Sequence, residues 1–122
     1  MNSLERSRKF LQHGLTKPGT VEDYPFGPEV VVLKVSGKMF ALFSRRDGTV
    51  QLALKCDPDR AEDLRRQYPQ ILPGYHLNKK HWNTLLLDGR LTDSLVRDLL
   101  DHSYGLVVAG LPRRLRLTSV LP

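Results

Sequence analysis

The regular alternation of apolar and polar residues is clearest in the segment TVQLALK (49–55), where the even-numbered positions are apolar and the odd-numbered ones mostly polar. This period of two predicts a half-buried strand. Two apolar runs rich in β-branched and aromatic residues, 30–35 and 38–44, precede it and predict two more strands. Asp47-Gly48 is typical of a tight hairpin turn. The three strands are therefore predicted to form an antiparallel meander.

Three other segments place apolar residues at the spacing of amphipathic helices, and each begins with a residue that can cap a helix. Their predicted bounds are Asn2 to about Gly14, Asp57-Pro58 to Pro69, and Thr92 to about Gly110. Two short strands fit between the second and third helices, near 71–76 and 82–88. The predicted order is α-β-β-β-α-β-β-α, a two-layer α+β fold with helices on one face of an antiparallel sheet.

Proline and glycine in the segment 21–30 predict an irregular connection there, with Tyr24 and Phe26 pinned into the core. In the segment PGYHLNKKHWNTLLLDG, Asn78 is predicted to cap a tight turn. Trp82 is predicted to fill the core at the edge of the sheet, because tryptophan buries a large apolar area.

The composition, 40% hydrophobic and 26% charged, is typical of one globular domain spanning residues 1–122. No apolar run approaches the roughly 20 residues of a membrane-spanning helix, and the N-terminal segment lacks the apolar centre of a secretion signal. Cys56 is the only cysteine, which excludes an internal disulfide and a metal site with several thiolates. We therefore expect a cytoplasmic monomer without a membrane partner.

Two long segments, KPGTVEDYPFGPEVVVLKVSGKMFALFS and PGYHLNKKHWNTLLLDG, resemble the MmcQ/YjbR family of small bacterial proteins in their order and separation. The resemblance runs from the first predicted helix through the third. It implies a small α+β domain described as a double wing, loosely similar to secretion-chaperone-like folds, and it implies DNA binding. It implies no catalytic residue, cofactor or substrate.

The residues themselves offer little for catalysis or metal binding. His76 and His81 are five positions apart, which is not the spacing that places two imidazoles on one helical face. Glu22-Asp23 lies beside a proline-rich turn, where carboxylates usually accept backbone N–H groups. Neither a glycine-rich phosphate loop nor a nucleophile-elbow motif occurs. We expect that the protein is not an enzyme and holds no metal or cofactor.

The formal net charge of +6 favours polyanionic partners. Three groups of basic residues are the candidate DNA contacts, and we name them the lysine turn, the arginine hairpin and the C-terminal arginines. The lysine turn comprises Lys79 and Lys80 with the flanking His76 and His81, and the arginine hairpin comprises Arg45 and Arg46. The C-terminal arginines are Arg113, Arg114 and Arg116 in a basic tail, 111–122. Because no recognition-helix pattern is visible, binding is predicted to be led by the phosphate backbone and weakly sequence-specific.

Each basic group also has a purely structural interpretation, since charged turns are commonly only solvated and charged hairpin tips prevent edge-to-edge pairing. The alternative function is a chaperone-like module that binds a protein or peptide on the exposed face or edge of the sheet. Salt distinguishes the two, because nucleic-acid binding weakens steeply with ionic strength and an apolar interface does not.

Overall fold

A six-stranded antiparallel sheet with helices packed on one face forms the framework of the protein. The computed structural model describes residues 3–74 and 77–120. The elements, in chain order, are α1 (Ser3–Leu15), β1 (Thr20–Asp23), β2 (Val31–Val35), β3 (Lys38–Arg46), β4 (Thr49–Lys55), α2 (Pro58–Gln67), β5 (Ile71–Pro73), β6 (Trp82–Leu86), α3 (Asp93–Ala109) and α4 (Arg113–Val120). The predicted α+β class is confirmed, and two elements, β1 and α4, are additional.

The strands lie in the order β1-β2-β3-β4-β6-β5, and all neighbours are antiparallel. The predicted meander, β2-β3-β4, is confirmed. Its two connections are the turns Ser36-Gly37 and Asp47-Gly48, in which both residues have positive φ (48° and 79°, 52° and 80°). These angles are those of type I′ turns, whose twist matches that of paired strands.

The hydrophobic core lies between the sheet and the helices α1, α2 and α3. The buried cluster includes Phe10 of α1, Leu64 of α2 and Leu100 of α3, packed with Leu52 and Leu85 of the sheet. The predicted caps of two helices are confirmed: the Asp57 side chain accepts hydrogen bonds at the start of α2, and that of Thr92 does so at the start of α3. Asn2, the predicted cap of α1, lies outside the described residues.

The predicted basic tail, 111–122, contains a helix that was not predicted, α4 (Arg113–Val120). The Pro112 carbonyl accepts hydrogen bonds from the backbone N–H groups of Leu115 (2.9 Å) and Arg116 (3.1 Å). Leu111 is buried just before this turn. The buried Leu111 and the hydrogen bonds of the first helical turn therefore stabilise the start of α4.

The segment 21–30 is also not irregular throughout, because its first three residues belong to β1, which pairs with β2 at the edge of the sheet. The prediction that Tyr24 and Phe26 lie in the core is wrong, since they are 47% and 64% exposed. The Tyr24 hydroxyl donates a 2.6 Å hydrogen bond to Glu22. The proline and glycine turns that follow hold the connection outside the sheet.

A histidine of α3 gives the fold a pH dependence that can be measured. The backbone N–H of Asp57, at the start of α2, donates a 3.2 Å hydrogen bond to Nε2 of His102. Burial and the neighbouring Arg60 lower the pKa of His102, so the folded protein favours the neutral imidazole. The folded state then binds fewer protons than the unfolded chain, in which the histidine pKa is about 6.5.

We expect the free energy of unfolding to fall as the pH drops below about 6.5, because protonation of His102 is favoured in the unfolded chain. Urea denaturation at pH 7.5 and at pH 5 measures this change. The control is His102→Gln, which cannot titrate in this range and whose stability should therefore change less between the two pH values. Equal pH dependence in both proteins would contradict the assignment to His102.

Candidate functional site

The face of the sheet that the helices do not cover is called the open face below. Cross-strand pairing places Leu42 beside both Val32 and Ala53, and Ala53 beside Thr84. Paired residues lie on the same side of a sheet, and their sequence neighbours face the core. Val32, Ala53 and Thr84 are buried although they lie on the side of the sheet away from the helices.

A cavity of about 520 Å³ opens on this face. Its floor is formed by Leu42, Ala53 and Thr84, from three adjacent strands. Phe26, from the β1–β2 connection, and Leu77, from the β5–β6 connection, are further lining residues. The volume lies within the roughly 300–1,000 Å³ of ordinary ligand sites, which are mostly apolar with a few polar groups.

Exposed apolar side chains also occur on this side of the protein. Among the described residues, the large hydrophobic side chains most exposed to solvent are Val21, Tyr24, Phe26 and Leu72. The register places Val21 and Leu72 on the open face, while Tyr24 and Phe26 lie in the connection beside it. Val21 and Leu72 belong to the two edge strands, β1 and β5, so of these four residues Phe26 is the one that lines the cavity.

The arginine hairpin borders the cavity at one end of the sheet. Arg45 and Arg46 are both exposed and are both among the residues that line the cavity. Arg46 pairs with Thr49 directly at the Asp47-Gly48 turn. The structure therefore brings two of the predicted contact residues to an apolar site that sequence reasoning did not identify.

The lysine turn lies at the opposite end of the sheet, because it leads directly into Trp82, which pairs with Lys55 at the far end of β4. The predicted role of Asn78 is confirmed: its side chain accepts a 2.9 Å hydrogen bond from the N–H of Lys80. Arg65 donates to the carbonyl of Lys79 (3.2 Å) and to the side chain of Asn83 (2.7 Å). The backbone of the turn is thus anchored, while the side chains of both lysines are exposed.

Of the two flanking histidines, the structure describes His81. His81 is half-buried, and its carbonyl accepts a 2.8 Å hydrogen bond from the N–H of Cys56. His76 lies outside the described residues. Among the described residues of the turn, Lys79 and Lys80 are therefore the exposed cationic groups.

The prediction that Trp82 fills the core is wrong. Trp82 is half-buried and belongs to the open face with Thr84, whereas Asn83 and Leu85 are buried on the core face. The buried Asn83 donates to the carbonyl of Ala61 and accepts from Arg65, so its amide is satisfied. The polar residue of the strand faces inward because α2 supplies hydrogen-bond partners there.

The C-terminal arginines are separate from both other groups. Arg113, Arg114 and Arg116 are exposed on α4, which packs against α3 on the helical side of the protein. The three basic groups predicted as DNA contacts therefore do not form one cluster. Two of them lie at opposite ends of the open face, and the third lies on α4.

The groups that acid–base or thiol chemistry would use are engaged elsewhere. Nε2 of His13 lies 2.7 Å from Oδ1 of Asp101. Burial raises the pKa of the Cys56 thiol, which disfavours the reactive thiolate. Within residues 3–74 and 77–120, no three His, Cys, Asp or Glu side chains are grouped so as to hold a metal ion. In the same ranges, no helix is both long and apolar enough to cross a membrane.

Comparison with known proteins places this geometry in a family. The YjbR family model matches residues 15–106. YbdF of Escherichia coli O157:H7 is 44% identical over 91 residues, 75% of each chain, and YjbR of Escherichia coli K12 is 36% identical over 108 residues, 88% of this chain and 92% of its own. Both are described as uncharacterised proteins.

Solved structures have the same fold. A Deinococcus radiodurans protein with the domain DUF419 superposes with a TM-score of 0.83 at 40% identity, covering 100% of this chain and 91% of its own. A crystal structure of a Pseudomonas syringae protein superposes with a TM-score of 0.71 at 29% identity, covering 81% of this chain and 96% of its own. Because the family model and relatives above 30% identity extend over most of the sequence, the chain belongs to the YjbR family.

Proposed function

We propose that this protein binds DNA, mainly through the phosphate backbone and with little preference for sequence. The observation that carries the proposal is the distribution of charge. Acidic side chains on the helical side form ion pairs with neighbouring cations: Asp93 with Arg6 and Lys9, and Asp98 with Arg60. These ion pairs compensate part of the positive charge on that side.

The loops at the ends of the open face differ in this respect. Within the described part of the chain, no ion pair of Arg45, Lys79 or Lys80 occurs, and all three side chains are exposed. Exposed cations on anchored turns are suited to phosphate contacts, which fix orientation without reading sequence. Association with DNA would release condensed counterions and so favour binding at low salt.

Binding rather than catalysis is part of the proposal. Its support is that two of the candidate reactive groups already have other partners: His13 contacts Asp101, and His102 accepts from the backbone N–H at the start of α2. The proposed location is the cytoplasm, whose reducing conditions suit the free, buried thiol of Cys56.

The second candidate is a module that binds a protein or peptide on the open face. The exposed apolar side chains favour it, above all Phe26 at 64% exposure beside the cavity. An apolar peptide would contact that lining but would leave the charge of the arginine hairpin and the lysine turn without a role. We therefore place DNA binding first.

The test is a titration of the intact protein into labelled duplex DNA at several salt concentrations. We expect saturable binding at low salt, with an affinity that falls by about 0.9 logarithmic units per phosphate contact for each tenfold rise in salt. Polyglutamate serves as a competitor that carries negative charge without phosphates. Absence of saturable binding at low salt, or equal competition by polyglutamate and unlabelled DNA, would contradict the proposal.

A further inference from the structure

The open face combines two properties that different ligands would use separately. Its cavity has an apolar floor, with Phe26 and Leu77 among the other lining residues, and Arg45 and Arg46 line it at one end. The exposed ammonium groups of the lysine turn lie beyond the other end of the sheet. The most apolar part of the surface is therefore flanked by positive charge.

Duplex DNA would use only the charged part of this surface. Its bases are stacked inside the helix, and proteins read them with helices or strands that protrude into a groove. The cavity is concave instead, and it spans β3, β4 and β6. From a strand spacing of about 4.8 Å and a rise of about 3.3 Å per residue, the lining measures roughly 10 Å across the three strands and, from Leu42 to Arg46 of β3, roughly 13 Å along them.

A single strand would use both parts, since its phosphates attract cations and its unstacked bases expose flat apolar surfaces. Proteins that bind single strands without sequence preference combine a basic groove with aromatic side chains on which bases stack. Phe26 meets this requirement, because it is an aromatic residue that is 64% exposed and lines the cavity. The turn that carries it is held by hydrogen bonds from Gly27 to Tyr24 (3.2 Å) and from Val30 to Gly27 (3.3 Å).

We infer that the open-face cavity is a binding site for single-stranded DNA, in which an unpaired base stacks on Phe26 while adjacent phosphates contact Arg45 and Arg46. Polar side chains of the lining, Gln51 and Thr84, offer hydrogen bonds to the edge of that base. The inference rests on the proposed DNA binding and names the form of DNA and the residues that receive it.

The experiment compares a labelled oligothymidine with a duplex of the same length, by fluorescence anisotropy with the intact protein. We expect the single strand to bind more tightly. Phe26→Ala should weaken single-strand binding by about 5- to 150-fold, which is the effect of removing one base-stacking contact, and should leave duplex binding unchanged. Phe26→Leu should weaken it nearly as much, because leucine keeps apolar volume but has no aromatic face.

Tyr24→Ala is the matched control, since Tyr24 is an exposed aromatic residue of the same connection that does not line the cavity. This variant should retain single-strand affinity. All three variants should keep the urea midpoint of the wild-type protein, because substitutions at exposed positions usually change stability by no more than about 0.5 kcal/mol. A change in affinity would then reflect the lost contact and not unfolding.

The outcomes separate the two proposals. Failure to bind either form of DNA would overturn the proposed function itself. Duplex binding as tight as single-strand binding, with Phe26→Ala without effect, would overturn only the single-strand site. Full affinity of Phe26→Leu alongside weak binding of Phe26→Ala would overturn base stacking and identify Phe26 as a general apolar contact.

Discussion

Replacement of Phe40 by alanine is expected to lower the free energy of unfolding by about 3–5 kcal/mol, as truncation of a buried aromatic residue does. Phe40 is 0% exposed and its ring meets that of Tyr104 edge-on, with the centroids 5.2 Å apart. Its carbonyl accepts a 2.6 Å hydrogen bond from the hydroxyl of Ser103, which also accepts from the N–H of Lys55. The substitution would leave a cavity where α3 joins the sheet.

Phe26→Ala is the control for this prediction, because it removes the same atoms from a side chain that is 64% exposed. Urea denaturation followed by the fluorescence of the single tryptophan measures both variants. We expect a change within about 0.5 kcal/mol for Phe26→Ala. Similar losses for both variants would show that the open face is as well packed as the core, and so would argue against a binding surface there.

Neutralising the lysine turn is expected to have the largest effect on affinity for duplex DNA. If Lys79 and Lys80 each contact one phosphate, changing both to glutamine makes the negative slope of log affinity against log salt shallower by about 1.8. The electrostatic contribution to affinity vanishes near 1 M salt. At 0.1 M salt, this change in slope therefore makes the variant bind up to about 60-fold more weakly than the wild-type protein. The fold should persist, since Asn78 and Arg65 hold the backbone of the turn.

Two matched variants, Arg45→Gln/Arg46→Gln and Arg113→Gln/Arg114→Gln, remove the same charge at the other two sites. If phosphates run along the open face, the Arg45/Arg46 variant should also lower the slope, and the α4 variant should have little effect. Equal losses from all three would indicate attraction by net charge without a defined site. An unchanged slope after loss of both lysines would show that the turn is only solvated.

Much of the fold could be predicted from short stretches of sequence. The Asp47-Gly48 turn, the Asp57 cap of α2 and the Thr92 cap of α3 were all predicted and are all present. Each depends on interactions within a few residues, so the residue types themselves carry the information. The strand β1 was missed because its four residues become a strand only by pairing with β2.

The candidate site was predicted only in part. Arg45, Arg46, Lys79 and Lys80 were recognised from their charge, and the structure places them on exposed turns. The cavity between them was not recognised, because Phe26 and Leu77 come from connections far apart in the sequence. The one local sign was an aromatic residue in a proline- and glycine-rich connection, and that residue was assigned to the core.

By itself, the sequence determined the turns, the helix caps, the alternation along each strand and the excess of positive charge, since all of these follow from residues close together in the chain. Only the tertiary structure decided which side of each strand is buried. The alternation in β6 places Trp82 and Thr84 on one side of the strand and Asn83 and Leu85 on the other. A period of two does not by itself say which of the two sides faces the core. The helices cover the face of Asn83, whose amide finds partners in Arg65 and Ala61, and so Trp82 and the cavity remain on the open face.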